Sequence, residues 1–237
     1  MIVRMEPSAA PARQQEFAAQ SFPRNWKVLS ARFFNRDASI VARELLGKLL
    51  VRRYGCELLI GRVVEAEAYL GQIDPAAHAF NGKTPRNAVL FGPPGIAYVY
   101  FIYGNHYCLN VSCMPEGNAG CVLFRALEPV AGLGTMAKLR GLDLGDTCLC
   151  DPDQASPARL RLIATGPGRL TQAMAITRQA HNGTALTSAS SELFLAADGW
   201  RPERIAATAR INVTKAADRL LRYVIAGNPF VSAKRIG

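Results

Sequence analysis

Val63-Val64-Glu65-Ala66-Glu67-Ala68-Tyr69 is the stretch on which the reading of this chain turns. Read as a β-strand, it sends successive side chains to opposite faces. Glu65, Glu67 and Tyr69 then share one face, and Val64, Ala66 and Ala68 share the other. Two carboxylates beside a flat ring suit a site that holds a planar group and activates water. A solvated strand face carries the same pattern, and the strand alone does not choose between the two.

Upstream, Asp37 caps a short amphipathic helix whose apolar positions are Ile40, Val41 and Leu45 and which closes at Gly47. Residues 49–54 and 56–69 read as two strands around Gly55, the second long or interrupted near Gly61. Residues 71–95 form a loop region rich in Gly, Pro and Asn, and connections of that length are functional or carry short helices. Residues 96–111 form a hairpin, with Gly104-Asn105 as residues tolerant of positive φ at its turn. Along its first strand Tyr98, Tyr100 and Ile102 share one face, and Val99, Phe101 and Tyr103 the other. Tyr103 stands at the tip, where an aromatic ring on a basic protein has the shape of a wedge that parts stacked bases. Tyr100 stands one pleat back, placed to line a pocket. An aromatic-rich core strand is the alternative for both.

Further on, residues 120–127 read as a strand closed by Glu128-Pro129, 134–142 as a helix, 144–157 as a loop and 168–179 as a helix. Short strands follow near 193–196, 210–213 and 222–226. No internal repeat and no linker is apparent, so one α+β domain around an antiparallel sheet (residues 28–237) is the economical reading, preceded by a loose basic tail at 1–27.

The 237 residues carry 28 Lys plus Arg against 18 Asp plus Glu, a formal charge of +10 that favours a polyanionic partner. No run approaches the ~20 apolar residues of a membrane helix, and a membrane partner is not expected. The cysteines at 56, 108, 113, 121, 148 and 150 lack paired CxxC spacing. Cys148 and Cys150 form a lone CxC, and Cys108 and Cys121 sit in apolar runs as small core hydrophobes. Without a signal peptide ahead of them, the reducing cytosol is their expected setting. Gly92-Pro93-Pro94-Gly95 is too proline-bound to cradle phosphate, so neither a metal nor a nucleotide cofactor is expected.

EAYLG (67–71), TPRN (84–87), YVYFIYG (98–104), NVS (110–112), RALEP (125–129), GPGRL (166–170) and GNPFVS (227–232) follow one another in this order. The series resembles the alkyladenine (3-methyladenine) DNA glycosylases, monofunctional enzymes that remove alkylated purines, over residues 29–232. The resemblance implies a single α+β domain with a curved antiparallel sheet, flanking helices and a protruding hairpin that enters DNA. It implies that Glu67 is the general base for a water attacking the sugar C1′ of a flipped-out nucleotide, and that Arg125 helps hold that water. By the same resemblance, the main-chain carbonyl of Ile211 is expected to complete the water's cradle. Tyr69, His78 and Tyr100 match the walls that sandwich the base, and Asn110 the position that crowds the amine of guanine. Tyr103 matches the intercalating wedge, with Asn105 beside it and Thr84 and Arg86 in the DNA-facing loop. The alternative for Arg125 is a structural ion pair with Glu65 or Glu67, and the two roles are compatible.

No matched pocket position is Lys, so no Schiff base forms and an abasic site is the expected product. The implied partner is double-stranded DNA with alkylated or deaminated purines, met by a monomer without cofactors. Its place is the cytoplasm, at the nucleoid of a bacterium or in the nucleus of a eukaryote. A DNA- or RNA-binding module of the same fold is one rival. A sugar hydrolase using Glu65 and Glu67 as a pair, roughly 6.5 Å apart at the backbone, is another.

Overall fold

The computed structural model describes residues 26–102, 104, 106–143 and 156–232. Its centre is a thirteen-residue strand, β3 (Glu57–Tyr69), joined to β2 (Leu49–Tyr54) by the Gly55 turn. On its other edge β3 pairs with β6 (Gly120–Ala131), which pairs in turn with β5 (His106–Cys113) and that with β4 (Ala97–Ile102). β2 continues outward to β7 (Leu193–Ala197) and β1 (Lys27–Val28). Because β2 reaches only Arg62, the second half of β3 is free to take β9 (Arg222–Ile225), itself paired with β8 (Ile205–Thr208). The acidic half of β3 therefore lies between β6 and β9, interior to the sheet. Every pairing is antiparallel.

Helices cover one face. After the four-residue α1 (Ala31–Phe34), α2 (Ala38–Leu45) starts at Asp37, whose carboxylate accepts from the Ser39 backbone N–H at 2.8 Å. Its buried arc is Ala38, Val41, Ala42 and Leu45; Ile40 lies off that arc and is exposed, contrary to the helical face expected for it. This arc packs with Val64, Ala66 and Ala68 of β3 and with Leu160, Ile163 and Leu170 in one core. The alternation read from the opening stretch thus holds on its apolar side.

Several boundaries differ from the sequence reading. β6 runs through Pro129 to Ala131, and the pairing slips between Ile60 and Gly61, opposite that proline. Proline gives the ladder no N–H, and an irregularity there accommodates it. Gly61 keeps β3 continuous at this point, since a Cβ there would fall 2.7 Å from the Leu127 side chain. α3 (Leu133–Leu139) follows. Residues 144–155 of the expected loop, with Cys148 and Cys150, lie outside the described residues; α4 (Pro157–Ala164) begins at the proline that was to end it.

The helix expected over 168–179 is two, α5 (Pro167–Ala173) and α6 (Arg178–His181), parted where Ala175 takes φ 50°. The strand expected at 210–213 is a turn, with Asn212 at φ 57°, and the pairing strand lies earlier, at β8. Asparagine tolerates that left-handed backbone where most residues do not. Of the expected tail, residues 1–25 lie outside the described residues, whereas Trp26 meets Phe194 at 5.5 Å and Lys27 pairs with Ala197. The loop over 71–95 carries two short 3-10 turns, Gly71–Ile73 and Ala88–Phe91. No helix among the described residues is long and apolar enough to cross a membrane.

Gly132, which caps α3 at φ 74°, has Leu58 O only 2.8 Å from where a Cβ would stand. Gly132→Ala should therefore lower unfolding free energy by about 1–3 kcal/mol, through both the backbone conformation and the collision. Urea denaturation measures it, and an unchanged midpoint contradicts the account.

Candidate active site

Glu65 and Glu67 are both fully buried, which demands that each carboxylate be met by donors. Arg125, on β6, bridges them: its Nε donates to Glu65 Oε1 at 2.9 Å and its Nη1 stands 3.2 Å from Glu67 Oε1. The remaining partners of the two acids differ. Glu65 accepts from Arg222 Nε at 2.7 Å, from the Ser232 backbone N–H at 2.6 Å and from Ser232 Oγ at 2.8 Å. Burial alone would raise its pKa, but Arg125, Arg222 and the Ser232 N–H outweigh burial and hold it below the ordinary 4.5. Arg125 is held more firmly protonated, because the attraction of Glu67 and Glu65 exceeds the cost of burying it.

Glu67 faces groups that line a cavity. Its Oε2 accepts from Tyr69 Oη at 3.0 Å, and its Oε1 accepts from the Ile211 backbone N–H at 2.8 Å as well as meeting Arg125. Ile211 thus reaches Glu67 through its N–H, a contact additional to the carbonyl role that the resemblance implies. Burial, and then the neighbouring Glu67, push the Tyr69 phenol up, so it stays protonated and donates.

The cavity, of about 540 Å³, lies over this face of the sheet. Tyr69, His78, Tyr100, Asn110, Arg125 and Ile211, chosen from six separated positions in the sequence, all line it. Tyr98, Tyr100 and Ile102 line it together from β4, as strand alternation requires. His78 packs edge-on to Tyr100 with ring centroids 4.6 Å apart, and its Nδ1 lies 3.1 Å from Tyr98 Oη. Burial and the nearby Arg86 lower the His78 pKa from 6.5, leaving a neutral ring at neutral pH. Asn110 is buried and donates through Nδ2 to Tyr98 O at 3.2 Å, which fixes its amide at the cavity floor. Cys108 and Cys121, expected as plain core residues, are indeed buried but also border the cavity. Lys215, exposed at the rim, was not singled out from the sequence.

Of the DNA-facing candidates, Arg86 reaches the aromatic wall of the cavity, although neither it nor Thr84 lines it. Arg86 is exposed, with its guanidinium 5.8 Å from the Tyr100 ring centre. Thr84 is exposed too, and its backbone N–H donates to Asn87 Oδ1 at 2.7 Å. Buried Asn87 also donates to His78 O and Gly82 O, so it ties this loop to the base of His78. Tyr103 and Asn105 lie outside the described residues; they flank Gly104, at φ 73°, where β4 turns toward β5.

Sequence reading missed a second buried ion pair. Arg210 donates to both oxygens of Asp74, at 2.5 and 2.9 Å, and to Ala68 O at 3.0 Å, with both side chains fully buried. Its guanidinium lies 4.7 Å from the centre of the Tyr69 ring. Asp74 lies inside a quoted stretch and Arg210 beside a chosen residue, yet charge and spacing gave no reason to pair residues so far apart.

The family model described as methylpurine-DNA glycosylase matches residues 32–229. A protein of Koribacter versatilis named "Putative 3-methyladenine DNA glycosylase" is 58% identical over 203 residues, covering 86% of this chain and 92% of that one. A protein of the same name from Methanoculleus marisnigri is 46% identical over 208 residues, covering 87% and 99%. One from Carboxydothermus hydrogenoformans is 42% identical over 207 residues, covering 87% and 100%.

The Glu65 hub makes a pH-dependent prediction. A carboxyl depressed in the folded state stabilises fully above its unfolded value, near 4.5, and loses that contribution as pH falls through the lower folded value. Glu65→Gln leaves Arg125 and Arg222 short of a counter-charge and should cost about 3–5 kcal/mol at pH 7. The gap to the unsubstituted protein should narrow in denaturant titrations below pH 4.5. A gap that stays constant or widens on acidification rules out the ionised hub.

Proposed function

The chain belongs to the methylpurine-DNA glycosylase family, and from that premise we propose how this site performs the reaction. The protein is a monofunctional glycosylase that removes alkylated purines from DNA by hydrolysis. We take 3-methyladenine, the base in its relatives' names, as a principal substrate, and double-stranded DNA as the partner its net charge of +10 suits.

The observation that carries the site assignment is the environment of Glu67. It is a buried carboxylate behind a 540 Å³ cavity, oriented by Tyr69, Arg125 and the Ile211 N–H. A carboxylate offers about four lone-pair sites, so three donors leave room for a water. In our reading Glu67 takes a proton from that water as its oxygen bonds to C1′ of the flipped nucleotide. The C1′–N bond breaks with its electron pair passing to the purine, so a cationic alkylated base departs neutral. Arg125 orients both Glu67 and the water, and it stays charged throughout. The products are the free base and an abasic site.

The rest of the cavity recognises the base. Tyr69, Tyr100 and His78 supply flat apolar surfaces on which a purine stacks, and stacking tolerates different purines. Asn110, its amide fixed by Tyr98 O, crowds the exocyclic amine of guanine. Tyr103 fills the space that the flipped nucleotide leaves, with Asn105 beside it, and Thr84 and Arg86 meet the backbone. Flipping costs a few kcal/mol, less at a damaged pair, so the wedge favours lesions. A hydrolase with Glu65 and Glu67 as a working pair fits poorly, because Arg125, Arg222 and Ser232 already occupy Glu65.

Glu67→Gln keeps an acceptor for the Ile211 N–H and should fold normally, while release of 3-methyladenine from methylated DNA falls by about 10²–10⁴. Equal release by both proteins removes Glu67 as the base. Tyr103→Ala should weaken binding to a lesion-containing duplex by about tenfold, as loss of one stacking contact does. Affinity unaltered in a fluorescence titration assigns Tyr103 no wedge role.

A further inference from the structure

The Asp74–Arg210 pair is unusual for where it sits. Its two side chains are fully buried, and the guanidinium lies 4.7 Å from the centre of the Tyr69 ring. Tyr69 lines the cavity and Arg210 does not, so the cation backs the ring from the side away from the cavity. An aromatic face attracts cations because its π-system is negative. An unneutralised guanidinium behind Tyr69 would draw on that face and repel a second positive charge stacked on it. Asp74 neutralises the guanidinium with two hydrogen bonds, at 2.5 and 2.9 Å. Its carboxylate is further held by the backbone N–H groups of Leu70 and Ala76, at 3.1 and 3.2 Å.

Resting on the base-pocket reading above, we propose that the Asp74–Arg210 pair determines specificity by lesion charge. Asp74 cancels the cation behind Tyr69 and so keeps the stacking face open to positively charged alkylated bases. A base stacked on Tyr69 would lie roughly 8 Å from the guanidinium. A unit charge at that distance, in an effective dielectric near 20, changes occupancy roughly thirtyfold. A neutral lesion feels little of this. The pair also anchors Arg210 next to Ile211, whose N–H meets Glu67, so a purely structural role would weaken all lesions alike.

The test compares duplexes carrying one 7-methylguanine, cationic as the nucleoside, or one hypoxanthine, which is neutral. Affinities are measured in a Glu67→Gln background, so that neither base is lost, relative to an undamaged duplex. Adding Asp74→Asn, which keeps an acceptor oxygen for one of the two backbone N–H groups, should lower the 7-methylguanine to hypoxanthine affinity ratio by about ten- to thirtyfold. Adding Arg210→Met to that variant removes the stranded cation and should return the ratio to within about threefold of the starting protein. Should Asp74→Asn not fold, Arg210→Met alone carries the opposite sign: the carboxylate left behind Tyr69 raises the ratio. Equal loss for both lesions, or no reversal in the double variant, overturns the charge role and leaves the base pocket standing. If the Glu67→Gln protein holds neither lesion tighter than undamaged DNA, the base-pocket reading falls and this proposal with it.

Discussion

Arg125 between two buried carboxylates is the interaction on which the rest of the site depends. Glu65 and Glu67 lie on an interior strand, fully buried, and neither could stay there without a donor of opposite charge. One guanidinium meets both. Glu65 is gripped by Arg222 and Ser232 on its remaining valences, which makes it a fixed post for Arg125 Nε. Arg125 Nη1 is thereby held toward Glu67, whose partners Tyr69, Arg125 and Ile211 line the cavity. What surrounds each member sets the two acids apart: Glu65 is held by two guanidinium groups and Ser232, and Glu67 by Tyr69, Arg125 and the Ile211 N–H.

The same logic extends outward. Two buried ion clusters stand at the acidic half of β3, one around Glu65 and one formed by Asp74 and Arg210, which also binds Ala68 O. Buried pairs contribute little net stability, but breaking one is costly, so they fix geometry more than they add free energy. Here they fix a loop that has no strand of its own. Arg210 is bound to Asp74 and Ala68 O, and the next residue then presents its N–H to Glu67. The turn at Asn212 follows from that anchoring, which is why an alternating Arg-Ile-Asn-Val segment does not become a strand.

Alternation made the site partly legible in the sequence. Glu65, Glu67 and Tyr69 were placed on one face and Val64, Ala66 and Ala68 on the other, and the helices do cover the second row. Tyr98, Tyr100 and Ile102 were likewise grouped correctly, because two-residue periodicity is a local property of the backbone. Errors arose where long-range contacts override local preference. Pro129 inside β6, the break at Ala175 and the exposure of Ile40 each depend on what packs opposite. Arg125 was legible as a partner of Glu65, but Arg222 and Ser232 were not, for the same reason: they stand 157 and 167 residues away.

By itself the sequence determined which side chains share a face, where α2 is capped, how β4 and β5 pair, and, through motifs in a fixed order, the family. Those are matters of residue type and short spacing, which the backbone's periodicity converts directly into direction. Only the tertiary structure showed that Glu65 is bound by Arg125, Arg222 and Ser232, whereas Glu67 meets Tyr69, Arg125 and the Ile211 N–H. It also decided that Arg210, unmarked in the sequence, backs the Tyr69 ring with Asp74 at its side. Charge pairing in a buried site depends on distances between segments that the chain brings together only on folding, and no local pattern encodes those distances.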